Sequence, residues 1–149
     1  MKHFSKIVAT FFGIGYFPLA PGTLASLLIV LLYKFYLHRL GWGHYLLMLA
    51  VLFIVGAMTS TVHAVHKNMN DPRCIVIDEV MGQLLVCFRL SPDWPVLIAG
   101  FLLFRFFDIL KPFVIKKAES IPDGWGIMMD DVAAGLCAAI LLNIYLVLR

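Results

Sequence analysis

The sequence predicts an all-α protein, a compact bundle of several helices embedded in a membrane, with its polar motifs gathered at one face. Of the 149 residues, 62% are hydrophobic and only 14% are charged, which is far from the averages of soluble proteins. The hydrophobic residues form long runs and lack the alternation that strands exposed to lipid would show. No repeat or linker divides the chain, so we expect one domain over residues 1–149.

Five apolar segments are predicted to be helices: 24–40, 45–66, 78–90, 95–110 and about 128–148. The first two cross the membrane and return, joined by a turn at "GWGH" (41–44). The third and fourth are too short to span it comfortably and form a hairpin that dips in, with "SPDWP" as its turn. The fifth crosses once more. Four polar stretches marked by Gly or Pro lie between or beside these helices, at 13–26, 70–82, 104–112 and 124–135. The topology places all four at one face.

The basic residues predict an orientation for this topology. Eight of the twelve lie on the side of the polar stretches, which the positive-inside rule places in the cytoplasm. The N-terminal segment is not expected to be a signal peptide, because Pro18 and Pro21 interrupt it. Cys74, Cys87 and Cys137 form no CxxC pair and are expected to be reduced.

Acidic residues are absent from the first 70 positions, and all nine lie between 71 and 131. Six of them fall within the polar stretches: Asp71, Asp78, Glu79, Asp108, Asp130 and Asp131. A carboxylate at a helix N-terminus stabilises the helix by about 0.3–1 kcal/mol. One carboxylate is enough for this purpose, but the chain has two adjacent carboxylates in two places, Asp78–Glu79 and Asp130–Asp131. Carboxylates that persist at membrane depth pair with a cation or a metal. A hard divalent cation such as Mg²⁺, which prefers oxygen ligands, explains the set best.

Two further stretches suit phosphate binding. In "FRFFDILKP", Arg105, Asp108 and Lys111 are spaced i, i+3 and i+6, so on a helix they follow one face and can hold a metal-bridged phosphate. The alternative is an Asp108 that simply forms salt bridges with its two neighbours. In "GIGYFPLAPGTLAS", Thr23 and Ser26 stand at a predicted helix start, where free backbone N–H groups suit an anion.

The motifs together resemble those of the phosphatidylglycerophosphatase A family. The resemblance rests on "GYFPLAPGT" with Ser26, "DPRCIVIDEVMG", "FRFFDILKP" and "GWGIMMDDVAAG", in the family's order across residues 13–135. It implies a Mg²⁺-dependent phosphomonoesterase, a multi-pass protein of the bacterial cytoplasmic (inner) membrane. Its reaction removes the terminal phosphate of phosphatidylglycerol phosphate, and its active site faces the cytoplasm. We expect a phospholipid substrate and no nucleic-acid partner.

Carried onto this chain, the resemblance implies three overlapping sets of site residues. The expected metal ligands are Asp78, Glu79, Asp108, Asp130 and Asp131. The expected catalytic residues are Asp78, Asp108, Arg105, Lys111 and Asp131. The expected substrate-binding residues are Thr23, Ser26, Arg105, Lys111 and Asp71. The attacking group is either a water or one of the aspartates. We favour water, because no aspartate stands in a recognised nucleophile motif.

Two other functions fit the same residues. A phosphohydrolase acting on a different lipid phosphate, such as phosphatidic acid or an isoprenyl phosphate, would share the metal chemistry. A non-enzymatic ion-binding or transport protein would also need carboxylates in the membrane, but would carry them at the midplane of several helices. Here they are expected to stand at helix ends, beside Gly and Pro turns, which favours an enzyme.

Overall fold

The computed structural model describes residues 2–67, 72–112 and 123–148. Within these ranges it contains six α-helices and no β-strand, which confirms the predicted all-α class. The helices are α1 Lys2–Ala9, α2 Pro21–Phe35, α3 Trp42–Lys67, α4 Ile77–Cys87, α5 Trp94–Leu110 and α6 Asp123–Leu148. Two short 3-10 turns, Ile14–Tyr16 and Leu37–Arg39, lie before and after α2.

The reversal between α2 and α3 differs from the prediction. Helix α2 ends at Phe35 and not near residue 40, because Tyr36 leaves the helical conformation with φ −131° and ψ −56°. The Tyr33 hydroxyl donates a hydrogen bond to the Leu90 carbonyl at 2.7 Å, which ties this end of α2 to the chain after α4. The predicted turn at 41–44 is largely helical, since α3 already begins at Trp42.

Helix α6 starts about five residues earlier than predicted. The glycines of "GWG" lie inside it, because Gly124 packs directly on α3: a Cβ there would lie 2.2 Å from the Ala57 carbonyl oxygen. Asp130 and Asp131 consequently lie two turns inside α6 and not at its N-terminus. The expectation that they stand at a helix end is therefore wrong.

Among the described residues, two helices are long and apolar enough to cross a membrane, Trp42–Val65 in α3 and Gly124–Leu148 in α6. At 1.5 Å per residue, 24 residues extend roughly 36 Å, more than the ~30 Å hydrocarbon core. Both leave large apolar side chains exposed, among them Leu47, Val51, Ile54 and Met58 on α3 and Ile140, Ile144, Val147 and Leu148 on α6. These surfaces are suited to lipid, and the chain has the features of a membrane protein.

Helix α4 lies at the centre of the bundle. It packs against α2, α3, α5 and α6, and nine of its eleven residues are buried. An α-helix that is apolar on every side is stable only when it is surrounded in this way. Because α4 is central, the carboxylates in its first turn, Asp78 and Glu79, are held inside the bundle.

Glycines allow α4 and α6 to touch along their backbones. A Cβ on Gly135 would lie 2.5 Å from the Gly82 carbonyl oxygen, and one on Gly82 would lie 2.7 Å from the Asp131 carbonyl oxygen. Residues four apart share one face of a helix, so Asp78 lies one turn before Gly82 and Asp131 one turn before Gly135 on these touching faces. The glycine contact therefore brings the two aspartates together.

We predict that Gly135→Ala destabilises the bundle by roughly 1–3 kcal/mol, because the added methyl group forces two backbones apart. Thermal unfolding in detergent would measure this change. Gly43→Ala is the matched control: a Cβ there meets no atom within 4 Å, so alanine should be neutral or stabilise α3 by up to about 1 kcal/mol. Equal melting temperatures for Gly135→Ala and the wild type would contradict the close α4–α6 contact.

Candidate active site

Residues from all four polar motifs line one cavity of about 260 Å³. Its walls are Ala20, Pro21, Gly22, Arg73, Ile75, Asp78, Glu79, Arg105, Asp108, Lys111, Asp130 and Asp131. They come from the start of α2, the segment before α4, the start of α4, the end of α5 and the third turn of α6. The predicted gathering of the motifs at one face is therefore confirmed.

Three of the carboxylates converge on one another. Asp78, Glu79 and Asp131 each offer one oxygen, and these oxygens lie within 4.8 Å of one another. One oxygen of each, Asp78 Oδ1, Glu79 Oε2 and Asp131 Oδ2, is buried and has no hydrogen-bond partner in the described part of the chain. Buried acceptors of this kind are costly unless a ligand or an ion satisfies them.

Burial and mutual repulsion change the pKa values of the carboxylates in the first turn of α4. Burial raises the pKa of Asp78 well above its ordinary value, and the neighbouring Glu79 and Asp131 carboxylates raise it further. Burial also raises the pKa of Glu79, although its hydrogen bond with Asp78 opposes this shift. Two unit charges at such separations repel by on the order of 3 kcal/mol at an effective dielectric constant of about 20. The cluster therefore favours protons or a cation.

The other two carboxylates are paired with cations. Asp108 Oδ2 lies 2.6 Å from Arg105 Nη1 across one turn of α5, and Asp130 Oδ2 lies 2.7 Å from Lys111 Nζ. Lys111 caps α5 in the left-handed conformation, with φ 40°, as a residue before a proline is driven out of the helical region. Pro112 thus ends the helix where the sequence predicted, and Lys111 reaches across to α6.

The residues present fit a hard divalent cation. The unpartnered atoms of Asp78, Glu79 and Asp131 are all carboxylate oxygens, the ligands that Mg²⁺ prefers. The cavity as a whole carries five carboxylates and three basic side chains, a formal excess of two negative charges. Asp108 and Asp130 are not among the three residues whose oxygens converge, and the role of all five carboxylates as metal ligands stays a prediction.

The remaining predicted site residues lie less directly on the cavity. The Ser26 hydroxyl is buried and donates to the Gly22 carbonyl at 3.0 Å within α2. Thr23, in the first turn of the same helix, is not among the residues that line the cavity. Asp71 lies outside the described residues. Substrate binding by these three therefore stays a prediction.

The structure adds two features that the sequence interpretation missed. Arg73 lines the cavity, although its position in "DPRC" was not considered for a site role. Gly22 supports Glu79: a Cβ there would lie 1.9 Å from Glu79 Oε1. A signal for the glycines was present, since "DEVMG" and "DVAAG" share the spacing Asp-x-x-x-Gly, which places each acid one helical turn before a glycine.

Comparisons with known proteins show the family of the chain. The family model described as phosphatidylglycerophosphatase A matches residues 7–146. Phosphatidylglycerophosphatase A of Haemophilus influenzae is 38% identical over 90% of this chain and 83% of its own length. Its counterpart in Escherichia coli is 32% identical over 89% of this chain and 78% of its own length.

A third relative carries a different name. A protein of Bacteroides thetaiotaomicron named "Putative phosphatidylinositol-3-phosphatase" is 35% identical over 93% of this chain and 91% of its own length. No solved structure matches the chain significantly. The family match covers nearly the whole chain, including all four motifs that line the cavity. The chain therefore belongs to the phosphatidylglycerophosphatase A family of phosphatases.

Proposed function

We propose that this enzyme hydrolyses the terminal phosphate of phosphatidylglycerol phosphate with the help of Mg²⁺, as a step of phospholipid biosynthesis. The observation that carries the proposal is the converging set of unpartnered oxygens of Asp78, Glu79 and Asp131. Two basic side chains, Arg105 and Lys111, line the same cavity. Carboxylates for a metal beside cations for phosphate oxygens are the parts that phosphoryl transfer requires.

Asp78, Glu79 and Asp131 would hold the divalent cation, which when bound neutralises phosphate charge and makes water a better nucleophile. Arg105 and Lys111 bind the non-bridging oxygens, whose charge is stabilised most in the transition state. Their ion pairs with Asp108 and Asp130 orient both cations before substrate arrives. The water oxygen forms the new bond to phosphorus and the ester P–O bond breaks. Phosphatidylglycerol then leaves as the alcohol, with a proton that the water supplied.

The other two functions are less well supported. Hydrolysis of another lipid phosphate gains support from the relative named for phosphatidylinositol-3-phosphate, so the substrate has to be tested against a panel. For an ion carrier, carboxylates would be expected along a path through the midplane of the bundle. Here Asp78 and Asp131 share a cavity with three basic residues, which oppose the passage of cations. A fixed metal site suits this arrangement better.

We also propose that the chain crosses the bacterial inner membrane several times and that its site faces the cytoplasm. Two apolar helices and the membrane-lipid substrate support membrane insertion. The excess of basic residues on the side of the polar motifs, eight of twelve, supports the orientation.

The first test is phosphate release from phosphatidylglycerol phosphate in detergent micelles. We expect chelation by EDTA to abolish the activity and Mg²⁺ to restore it. Phosphatidic acid and phosphatidylinositol-3-phosphate should be hydrolysed more slowly. Asp78→Asn should lower turnover by roughly 100-fold or more, because even residues that only support a metal ligand are worth about 10- to 100-fold.

Asp93→Asn provides the control for this change. Asp93 lies outside the cavity, at the N-cap of α5, where its side chain makes no capping hydrogen bond that asparagine would lose. The Asp93→Asn enzyme should have the same activity as the wild type. Activity that survives EDTA would remove the metal from the mechanism, and faster release from a different lipid phosphate would reassign the substrate.

A second prediction concerns Gly22, where the atoms nearest to an added Cβ belong to the flexible side chain of Glu79. Gly22→Ala should leave the melting temperature nearly unchanged, because the end of that side chain can move. Activity should fall by up to about 100-fold, since a displacement of roughly 1 Å in a catalytic group is sufficient for this loss. Gly43→Ala, which displaces nothing, is the matched control. Full activity in Gly22→Ala would show that the position of Glu79 is unimportant.

The orientation predicts different labelling at the two ends of the bundle. Leu19, beside the cavity residue Ala20, and Arg39, in the turn before α3, are both exposed. In a background without native cysteines, a membrane-impermeant maleimide should label Arg39→Cys in intact cells. It should label Leu19→Cys only after the inner membrane is opened. The reverse labelling pattern would show that the site faces the outside of the inner membrane.

A further inference from the structure

A second cavity of about 520 Å³ adjoins the active site. It is lined by the 15–18 loop, by Ala20 and Pro21 at the start of α2, and by the 72–74 segment before α4. It shares the lining residues Ala20, Pro21 and Arg73 with the candidate active-site cavity, so the two cavities adjoin with these residues at their boundary. A ligand longer than one phosphate group can therefore occupy both.

Arg73 is the basic residue that lines both cavities. It is exposed, and within the described residues it forms no hydrogen bond or ion pair, whereas Arg105 and Lys111 are each paired with a carboxylate. Its guanidinium is thus available to an anion that comes from outside the protein. An arginine can hold a phosphate through two parallel hydrogen bonds.

The backbone that carries Arg73 is well fixed. The Ile75 N–H donates to the Pro72 carbonyl at 2.8 Å, and the Val76 N–H donates to the Ala9 carbonyl at the end of α1 at 2.9 Å. Gly15 packs so closely on this segment that a Cβ would lie 1.9 Å from the Cys74 carbonyl oxygen. A fixed backbone lowers the entropic cost of holding a ligand with this side chain.

We propose that Arg73 binds the phosphodiester of the lipid while the phosphate monoester is hydrolysed in the adjoining cavity. This inference rests on the proposed substrate, which carries both groups, joined by a three-carbon glycerol unit. The Tyr16, Phe17 and Pro18 side of the second cavity offers apolar contact for that glycerol and for the lipid beyond it. Arg73 then distinguishes lipids with two phosphates from phosphatidic acid, which has a monoester only.

Kinetics of the Mg²⁺-loaded enzyme on a short-chain phosphatidylglycerol phosphate in micelles test this assignment. A contact that is equally strong in the ground state and in the transition state affects KM and leaves kcat unchanged, and the contact of Arg73 with the unreacting phosphodiester is proposed to be of this kind. We therefore expect Arg73→Gln to raise KM by about 10- to 100-fold with little change in kcat, as expected for a lost charged hydrogen bond. Inhibition by inorganic phosphate, which needs only the monoester site, should be unchanged. Arg73→Lys should recover part of the loss.

Arg39→Gln, at the opposite end of the bundle, is the matched control and should leave all constants unchanged. An unchanged KM in a folded Arg73→Gln protein would overturn the proposal. So would an equal weakening of inhibition by inorganic phosphate, because Arg73 would then act at the monoester. Failure of the proposed function is seen separately: the wild-type enzyme would release no phosphate from phosphatidylglycerol phosphate while hydrolysing another lipid phosphate.

Discussion

The backbone contact between Gly82 and Gly135 determines the geometry of the active site. It lets α4 and α6 approach without intervening side chains, and it brings Asp78 and Asp131 together one turn away. Their repulsion, with that of Glu79, opposes this approach, so packing elsewhere along the two helices has to offset it. The divalent cation that we propose would remove this repulsion, and its binding would therefore stabilise the contact between the two helices.

The five carboxylates of the cavity divide into two groups because of where their helices end. Asp108 and Asp130 are neutralised by Arg105 and Lys111, the two cations that the last turn of α5 and its cap present. No basic residue of α4 or α6 lines the cavity to neutralise the other three. In the mechanism that we propose, the ion pairs would hold the two phosphate-binding side chains in place, and the unpartnered carboxylate oxygens would hold the metal.

The sequence predicted the helical class and the four converging motifs, because long apolar runs and clustered charges are local features of a chain. It also predicted the end of α5, which Pro112 determines. It did not predict α1, the early start of α6 or the short α2, because those boundaries depend on tertiary contacts such as Gly124 on α3 and Tyr33 on Leu90. For the same reason, the last helix was predicted to begin only after the "GWG" of residues 124–126, whereas Gly124 lies inside it and packs on α3. Arg73 was overlooked because a single basic residue in a loop carries no spacing signal.

Helix lengths explain how a charged site forms within a protein suited to lipid. Helices α3 and α6 have 26 residues each, roughly 39 Å, whereas α4 has 11, roughly 16 Å, so α4 can accompany them over less than half of their length. Asp131 lies seven residues after Gly124, about 10 Å along α6. The carboxylates are thus recessed below the start of that helix, with an apolar surface outside them. A phospholipid can keep its acyl chains beside such a surface while its head group turns inward, and this arrangement suits an enzyme whose substrate never leaves the membrane.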